Sequence, residues 1–183
     1  MIRQATWKVN TSIRLASLAL AFSLTGPALA ECQGSENLAI PAATPSEAFF
    51  DFGDGTVRHR PTQLVWTRCA IGQEWTGSGC SGEPELLDWA AALNVADQAE
   101  ISGQSDWRLP NRNELSSIVE TRCHDPAING TVFPDSQGGG FWTSSPVHSE
   151  GGQVWVVDFD QGALQPRAQA GSHALRLVRG GRM

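Results

Sequence analysis

One stretch of the sequence carries the three residue types that a nucleophilic relay uses. Ser145 and His148 lie close together, and Asp158 follows them. A serine nucleophile, a histidine base and an orienting carboxylate can together support acyl transfer. The sequence has no Gly-x-Ser-x-Gly elbow, no P-loop and no His-Glu-x-x-His motif. We therefore interpret these residues as loop serines and a strand-end aspartate, and we predict that the protein is not an enzyme.

The histidines and the first acidic turn do not specify a metal site. The four histidines lack the close spacing of metal ligands, and we expect them at the surface or in hydrogen bonds: His59, His124, His148 and His173. The stretch Asp51-x-Gly53-Asp54-Gly55 has some likeness to a calcium-binding loop, but glycine occupies the third and fifth positions, where such a loop has oxygen ligands. A plain turn is the preferred interpretation.

The sequence contains seven tryptophans and no tyrosine. Trp75 and Trp142 lie beside glycine-rich loops and are the candidates for an exposed platform on which a sugar or a partner could stack, with structural packing as the alternative. Four other tryptophans lie in apolar patterns and are expected in the core: Trp66, Trp89, Trp107 and Trp155.

Polar residues of the loops between Asp125 and Gly152 are the expected rim of that platform. The candidate ligand-binding residues there are Asp125, Asn129, Asp135, His148 and Glu150. The sequence predicts no cofactor. Calcium is the one metal for which these loops have oxygen donors, although their spacing does not specify a site.

Four cysteines, and no Cys-x-x-Cys pair, predict two disulfides in an exported protein. Three pairings are possible. We favour Cys69–Cys80, because the glycines between these residues make a flexible loop, and this choice leaves Cys32 paired with Cys123.

Residues 1–30 have the layout of a cleavable signal peptide. They contain no acidic residue, three basic residues before an apolar run, and the small residues Ala28 and Ala30 at the end. A lipoprotein signal is the competing interpretation because Cys32 is near, but Glu31 precedes it where a small residue is needed. We expect a periplasmic, secreted or cell-surface protein, with an extended N-terminal arm at 31–47 and one domain at 48–183.

The expected mature chain is acidic and contains no lysine. Removal of residues 1–30 changes the formal net charge from −6 to −9. Negative charge repels nucleic acid, heparin-like glycans and anionic lipid headgroups. No second long apolar segment follows, so we predict no membrane span.

The order of local patterns predicts an α+β fold. Short runs of aromatic and β-branched residues separated by glycine and proline indicate antiparallel strands before residue 68 and after residue 139, with a hairpin turn at Asp160-Gln161-Gly162. Apolar spacing of three and four predicts a helix over 84–99, with Pro84 in its first turn and Leu86 on its buried stripe. A capping box at Asn111 and Glu114 predicts a second helix that ends near Arg122.

Several ordered motifs resemble a known family, the Lcl C-terminal domain. They include Gly53-Asp54-Gly55-Thr56-Val57, Leu64-Val65-Trp66-Thr67-Arg68-Cys69, Trp107-Arg108-Leu109-Pro110-Asn111, Phe141-Trp142-Thr143-Ser144-Ser145 and Arg176-Leu177-Val178-Arg179-Gly180-Gly181. The Arg108-Leu109-Pro110 corner is also similar to that of the formylglycine-generating group. These resemblances imply a C-type-lectin-like fold, with two helices packed on short antiparallel sheets, long loops, and chain ends that meet in one sheet. The catalytic cysteine pair of formylglycine-generating enzymes has no counterpart here.

These observations lead to an expectation about function. The family resemblance and the loop composition predict a non-catalytic, adhesin-like recognition domain that binds an extracellular ligand. The typical family member recognises sulfated polysaccharide, but the acidic charge of this chain favours a neutral glycan or a surface protein. The alternative is a structural or assembly module of a cell-envelope or surface complex.

Overall fold

The computed structural model of the protein describes residues 32–148 and 151–180. The predicted signal peptide, residues 1–30, and Glu150 of the predicted rim lie outside the described residues. The described chain contains a one-turn 3-10 helix (Ser46–Ala48) and the helices α1 (Trp89–Asp97) and α2 (Arg112–Ser116). Its strands are β1 (Ser35–Glu36), β2 (Phe49–Asp51), β3 (Thr56–His59), β4 (Val65–Thr67), β5 (Glu74–Trp75), β6 (Cys80–Ser81), β7 (Cys123–His124), β8 (Gly140–Pro146), β9 (Gln153–Asp158), β10 (Ala163–Ala168) and β11 (Val178–Arg179).

Antiparallel pairing organises these strands into two main sheets. One sheet has four strands in the order β11-β4-β3-β2, and the other has three in the order β10-β9-β8. Two-stranded ladders join β1 to β7 and β5 to β6. The predicted hairpin is present, because β9 and β10 pair from Asp158 with Ala163 to Gln153 with Ala168. The chain therefore has the α+β fold that the sequence predicts.

A first hydrophobic core covers the inner face of the four-stranded sheet. Side chains alternate along a strand, so Phe49 and Val57 are buried whereas Phe50 and Arg58 lie on the outer face. The core also contains residues of β4, α2, the loop after β7 and β11: Trp66, Leu115, Phe133 and Val178.

A second hydrophobic core lies between α1 and the three-stranded sheet. Ala92 and Ala96 are the buried residues of the helix. They belong to a cluster with Trp107, Trp142, Val154, Val156, Leu175 and Leu177. Neither helix of the described ranges is long and apolar enough to cross a membrane.

The first helix begins later than the sequence predicts. We expected a helix over 84–99, but α1 begins at Trp89. The preceding segment is extended, because Leu87 and His173 exchange backbone hydrogen bonds of 3.1 Å in both directions. Leu86 is consequently 61% exposed and does not belong to a buried stripe.

The second helix has the predicted start but an earlier end. The Asn111 side chain accepts backbone hydrogen bonds from the first turn, and the Glu114 carboxylate accepts the Asn111 N–H, which confirms the capping box. The helix does not extend to the neighbourhood of Arg122. The N–H of Glu120 instead donates to the Ala127 carbonyl at 3.0 Å, in a neighbouring segment.

The segment that we expected to be an extended N-terminal arm is fastened to the domain. Its strand β1 pairs with β7. The Cys32–Cys123 disulfide and a 2.9 Å ion pair between Glu36 and Arg122 join the same two regions.

A buried carboxylate holds the second half of this segment. Glu120 is fully buried and accepts hydrogen bonds from the N–H groups of Ala43 and Thr44, from the Thr44 hydroxyl and from the Arg122 N–H. The Asn129 amide adds a 2.9 Å bond to the Thr44 carbonyl. Four donors on one buried carboxylate replace the water that it loses.

Both favoured disulfides are present. Cys32 is bonded to Cys123, and Cys69 to Cys80. They join residues 91 and 11 positions apart along the chain.

The acidic stretch after β2 is a plain turn, as predicted. The Asp51 carboxylate accepts the Gly53 N–H at 2.7 Å, and the Asp54 carboxylate accepts both the N–H and the hydroxyl of Thr56. One oxygen of each carboxylate therefore closes the turn, and the second oxygen of Asp51 pairs with Arg68 at 2.7 Å.

A charged residue lies inside the core. Arg176 is fully buried, and burial lowers the pKa of its guanidinium to about 9. It donates hydrogen bonds to the backbone carbonyls of Thr67 and Arg68 and to the Ser136 hydroxyl, and its guanidinium lies 4.8 Å from the Phe133 ring centroid. Arg176 therefore ties β4 to the loop that precedes β8.

Candidate functional site

An open cleft lies between the turn that joins β3 to β4 and the beginning of α2. Its volume is about 830 Å³. The turn contributes one wall and the helix start the other, and the lining residues are Pro61, Thr62, Gln63, Leu64, Asn111, Asn113, Glu114 and Ser117. Ligand clefts in proteins have volumes of roughly 300 to 1,000 Å³, so this cleft has a suitable size.

The first wall is held by hydrogen bonds within the turn. The Gln63 N–H donates to the His59 carbonyl at 2.8 Å, and the His59 N–H donates to the Leu64 carbonyl at the same distance. The His59 ring nitrogen Nδ1 and the Thr62 hydroxyl are 2.9 Å apart. Burial lowers the pKa of His59, so its ring is neutral at neutral pH. His59 therefore adds no positive charge to this wall of the cleft.

The second wall is held by an ion pair. Arg108 donates from two nitrogens to the two carboxylate oxygens of Glu114, at 2.8 Å each. The hydrogen bonds that Arg108 donates to Glu114 raise the pKa of Arg108 above its ordinary value, although burial opposes this shift. The Glu114 carboxylate is therefore neutralised by Arg108.

Amide groups are the free polar groups of the cleft. The Asn113 side chain forms no hydrogen bond with the other residues of ranges 32–148 and 151–180, and the Gln63 side chain uses only its nitrogen, toward the Arg60 carbonyl. Amides and hydroxyls both donate and accept hydrogen bonds, and they carry no net charge. The cleft is therefore suited to a neutral ligand with hydroxyl or amide groups.

Trp142 does not form the exposed platform that we expected. It is fully buried, its ring nitrogen donates to the Leu87 carbonyl at 2.7 Å, and the edge of its ring meets His173 with centroids 4.6 Å apart. This prediction was wrong because the neighbouring glycines allow close packing: a side chain on Gly140 would collide with His173. Trp142 is a core residue.

Asn129 is also absent from the surface where we expected it. It is fully buried, its amide nitrogen donates to Thr44, and its side-chain oxygen accepts the N–H groups of Thr131 and Val132. Both polar atoms of its side chain therefore form hydrogen bonds with backbone groups, and neither is available as part of a ligand-binding rim.

Trp75 and Asp135 both have Cys80 as a neighbour. Trp75 pairs with Cys80 in the β5–β6 ladder, and the Asp135 carboxylate accepts the Cys80 N–H at 2.9 Å. Trp75 is half-buried, since the Arg68 guanidinium lies 4.3 Å from its ring centroid and Gly55 lies against the ring. Gly55 has φ of +88°, and a Cβ there would be 2.9 Å from the indole ring, so this contact requires glycine.

The remaining rim residues do not join this pair. Asp125 is exposed, and its carboxylate lies 3.2 Å from the His124 ring. His148 is exposed as well, at the end of the first described range. Glu150 lies outside the described residues. Among the described ranges, no group of three or more His, Cys, Asp or Glu side chains could hold a metal ion.

The three relay-type residues are not joined to one another by hydrogen bonds within the described residues. The Ser145 hydroxyl accepts the Arg112 N–H at 3.1 Å. The Asp158 carboxylate accepts the Asp160 N–H and the Gln165 amide, each at 3.0 Å. No hydrogen bond within the described residues joins either of them to His148, so this arrangement does not form a relay.

Sequence reasoning missed the cleft although it identified one of its walls. The capping box at Asn111 and Glu114, which forms the second wall, is predicted from the sequence. Nothing in the spacing indicates that it faces the turn at Pro61, because about 50 residues separate the two segments in the sequence.

Comparison with known proteins identifies one family. The model of the Lcl C-terminal domain matches residues 55–179, which is more than half of the chain. A search of curated proteins finds no match.

Proposed function

Because this chain belongs to the Lcl C-terminal domain family, we propose that it is an exported recognition domain that binds a neutral polar ligand, such as a glycan, in the cleft between the β3–β4 turn and α2. The observation that carries the proposal is the lining of this cleft by uncharged amide and hydroxyl groups around a carboxylate that Arg108 already neutralises. Sugars present hydroxyl groups that pair with such donors and acceptors.

The charge of the chain supports a neutral ligand over an anionic one. With 19 acidic and 13 basic residues, the whole sequence has a formal net charge of −6. A polyanion would be repelled by this surface, and the cleft lining contains no lysine or arginine to attract it. This proposal moves the binding site away from the loops after Asp125, because Trp142 and Asn129 are buried there.

Export is supported by the cysteine chemistry. The protein contains two disulfides. Disulfides form in oxidising compartments and are rare in the cytosol. We propose that the protein works in the periplasm or outside the cell.

The C-type-lectin-like architecture is part of the same proposal. It is supported by the four-stranded sheet, which contains both β2, near the start of the domain, and β11, near its end. In this view the domain is a scaffold for recognition and not for catalysis.

Glycan-array screening of the purified mature protein tests the proposed function. We expect binding to neutral glycans, and about tenfold weaker binding by Asn113→Ala, which removes one unpaired amide from the cleft. Asn94→Ala is the matched control, because it removes an exposed asparagine from α1. Silence of the wild-type protein on neutral glycans, or equal loss in both variants, contradicts the proposal.

A further inference from the structure

Two phenylalanines are exposed on the outer face of the four-stranded sheet. Phe50 is 40% exposed and Phe52 is 45% exposed. Their rings meet edge to face, with centroids 5.1 Å apart. Large apolar side chains that touch each other in solvent indicate a contact surface more strongly than scattered ones do.

Two arginines cover these rings. Phe50 faces Arg58 directly in the β2–β3 register. The Arg58 guanidinium carbon lies 5.4 Å from the Phe50 centroid and 5.7 Å from that of Phe52, and the Arg60 guanidinium carbon lies 5.6 Å from the Phe50 centroid. We call these four residues, Phe50, Phe52, Arg58 and Arg60, the Phe–Arg face.

No carboxylate of the described residues neutralises the charges of Arg58 and Arg60. Within residues 32–148 and 151–180, neither forms an ion pair with a carboxylate. Other arginines of the described chain do so, with partners 2.6 to 2.9 Å away: Arg68, Arg108, Arg122 and Arg179. An acidic protein thus carries a local pair of unneutralised cations beside an aromatic pair.

We propose that the Phe–Arg face docks an acidic segment of a partner protein. Arg60 Nε donates to the Phe49 carbonyl at 3.4 Å, but no hydrogen bond within the described residues uses the terminal nitrogens of Arg60 or any guanidinium nitrogen of Arg58. These nitrogens can donate two parallel hydrogen bonds to one carboxylate. The two phenylalanines take an apolar side chain of the same segment. The face therefore selects carboxylates next to an apolar residue.

The geometry favours a protein segment over a stacked sugar. A sugar needs an open, flat ring face. Here two guanidinium groups cover Phe50, and Phe52 meets it edge to face at an interplanar angle of 76°. Phenylalanine also has no polar atom with which to bond a sugar hydroxyl. This surface is distinct from the cleft, whose lining contains none of the four residues.

Selection of a random peptide library displayed on phage against the purified mature protein tests the proposal. We expect the enriched peptides to contain Asp or Glu beside an apolar residue. Their affinity for the double variant Arg58→Gln/Arg60→Gln should be about tenfold lower, and added salt should weaken binding to the wild-type protein.

The controls separate this surface from other sites. Arg167→Gln removes an exposed arginine from β10, and Asn113→Ala alters the cleft, so neither should change peptide binding. Near-UV circular dichroism checks that each variant is folded. If the double arginine variant fails this check, Phe50→Ser/Phe52→Ser provides the same comparison.

Three outcomes overturn the proposal. One is enrichment of neutral or basic peptides only, or of none. Another is equal binding of acidic peptides by the wild-type protein and the folded variants. The third is loss, in the arginine variant, of self-association or of binding to acidic glycans while peptide binding is unchanged, which would assign the face to a second copy or to a glycan.

Discussion

Arg108 and Glu114 form a two-pronged ion pair, with Nη1 2.8 Å from Oε2 and Nη2 2.8 Å from Oε1. The same carboxylate accepts the Asn111 N–H at 2.8 Å, and Arg108 also donates to the Gly180 carbonyl at 3.1 Å. One pair of side chains therefore connects the start of α2, a wall of the cleft and the end of β11.

The Arg108–Glu114 pair should make stability depend on pH. Partial burial alone would raise the pKa of Glu114, but hydrogen bonds from Arg108 and the Asn111 N–H outweigh burial and keep the pKa below its ordinary value of 4.5. A lowered pKa in the folded state means that the carboxylate stabilises the fold above the unfolded pKa, and that this contribution is lost as pH falls through the folded pKa. We expect Glu114→Gln to lower the free energy of unfolding by about 1 kcal/mol at pH 7.

Urea unfolding at a series of pH values measures this effect. The difference between the wild-type protein and Glu114→Gln should shrink as pH falls below 4.5. Glu100→Gln, an exposed residue outside the helices, is the control and should not change stability at any pH. If the difference in the free energy of unfolding between the two proteins stays constant down to acid pH, the charge of the Glu114 carboxylate does not contribute to stability.

The buried carboxylate of Glu120 should be essential for the N-terminal segment. Glu120→Ala leaves the N–H groups of Ala43, Thr44 and Arg122 without their acceptor, so we expect a loss of about 3 kcal/mol in the free energy of unfolding. Hydrogen exchange of residues 43 and 44 should accelerate beyond this global effect. Glu47→Ala, an exposed acid of the 3-10 helix, is the control, and equal exchange in both variants would contradict the role assigned to Glu120.

The two disulfides should differ in their contribution to stability. On the chain-entropy account, closing a loop between residues 11 apart contributes about 3 kcal/mol, and between residues 91 apart about 4.5 kcal/mol. Cys32→Ser/Cys123→Ser should therefore lower the denaturant midpoint more than Cys69→Ser/Cys80→Ser. Thiol titration of the unfolded wild-type protein should find no free cysteine, and the reverse order of midpoints would argue against the loop-length account.

Trp142 and Trp75 should respond differently to replacement by phenylalanine. Trp142→Phe loses the 2.7 Å hydrogen bond to the Leu87 carbonyl and leaves a gap in the second core, so we expect a loss of about 2 kcal/mol. The Trp75 ring nitrogen has no partner among the described residues, so Trp75→Phe should cost about half as much or less. Thermal unfolding compares the two variants. A larger loss for Trp75→Phe would mean that Trp142 is not the buried residue of the pair.

Local sequence signals were sufficient wherever the interacting groups are neighbours in the chain. The Asn111–Glu114 capping box, the turn at Asp51 and Asp54, and the β9–β10 hairpin depend on hydrogen bonds between residues a few positions apart. The favoured cysteine pairing also followed from the sequence, since one pair closes a short, glycine-rich loop. These features made the α+β class predictable.

Long-range packing decided what local patterns could not. The apolar period around Leu86 predicts a helix, but pairing of Leu87 with His173 keeps the backbone extended there. Likewise, α2 ends early because Glu120 forms hydrogen bonds with distant segments. Its carboxylate accepts the N–H of Ala43, and its own N–H donates to the Ala127 carbonyl. A helix ends where distant groups offer its backbone better hydrogen bonds, and spacing along the sequence does not contain that information.

The candidate surfaces depend on the tertiary structure for the same reason. From composition alone, Trp142 and Asn129 are as suitable for a ligand as Trp75 and Asp135, yet the fold buries the first two. The cleft exists only because the turn at Pro61 faces α2. The sequence by itself predicted the fold class, contained the family motifs and favoured one of three cysteine pairings, because these depend on residue types and local spacing. Exposure and the meeting of distant segments were decided by tertiary packing, because burial of a side chain depends on every element that surrounds it.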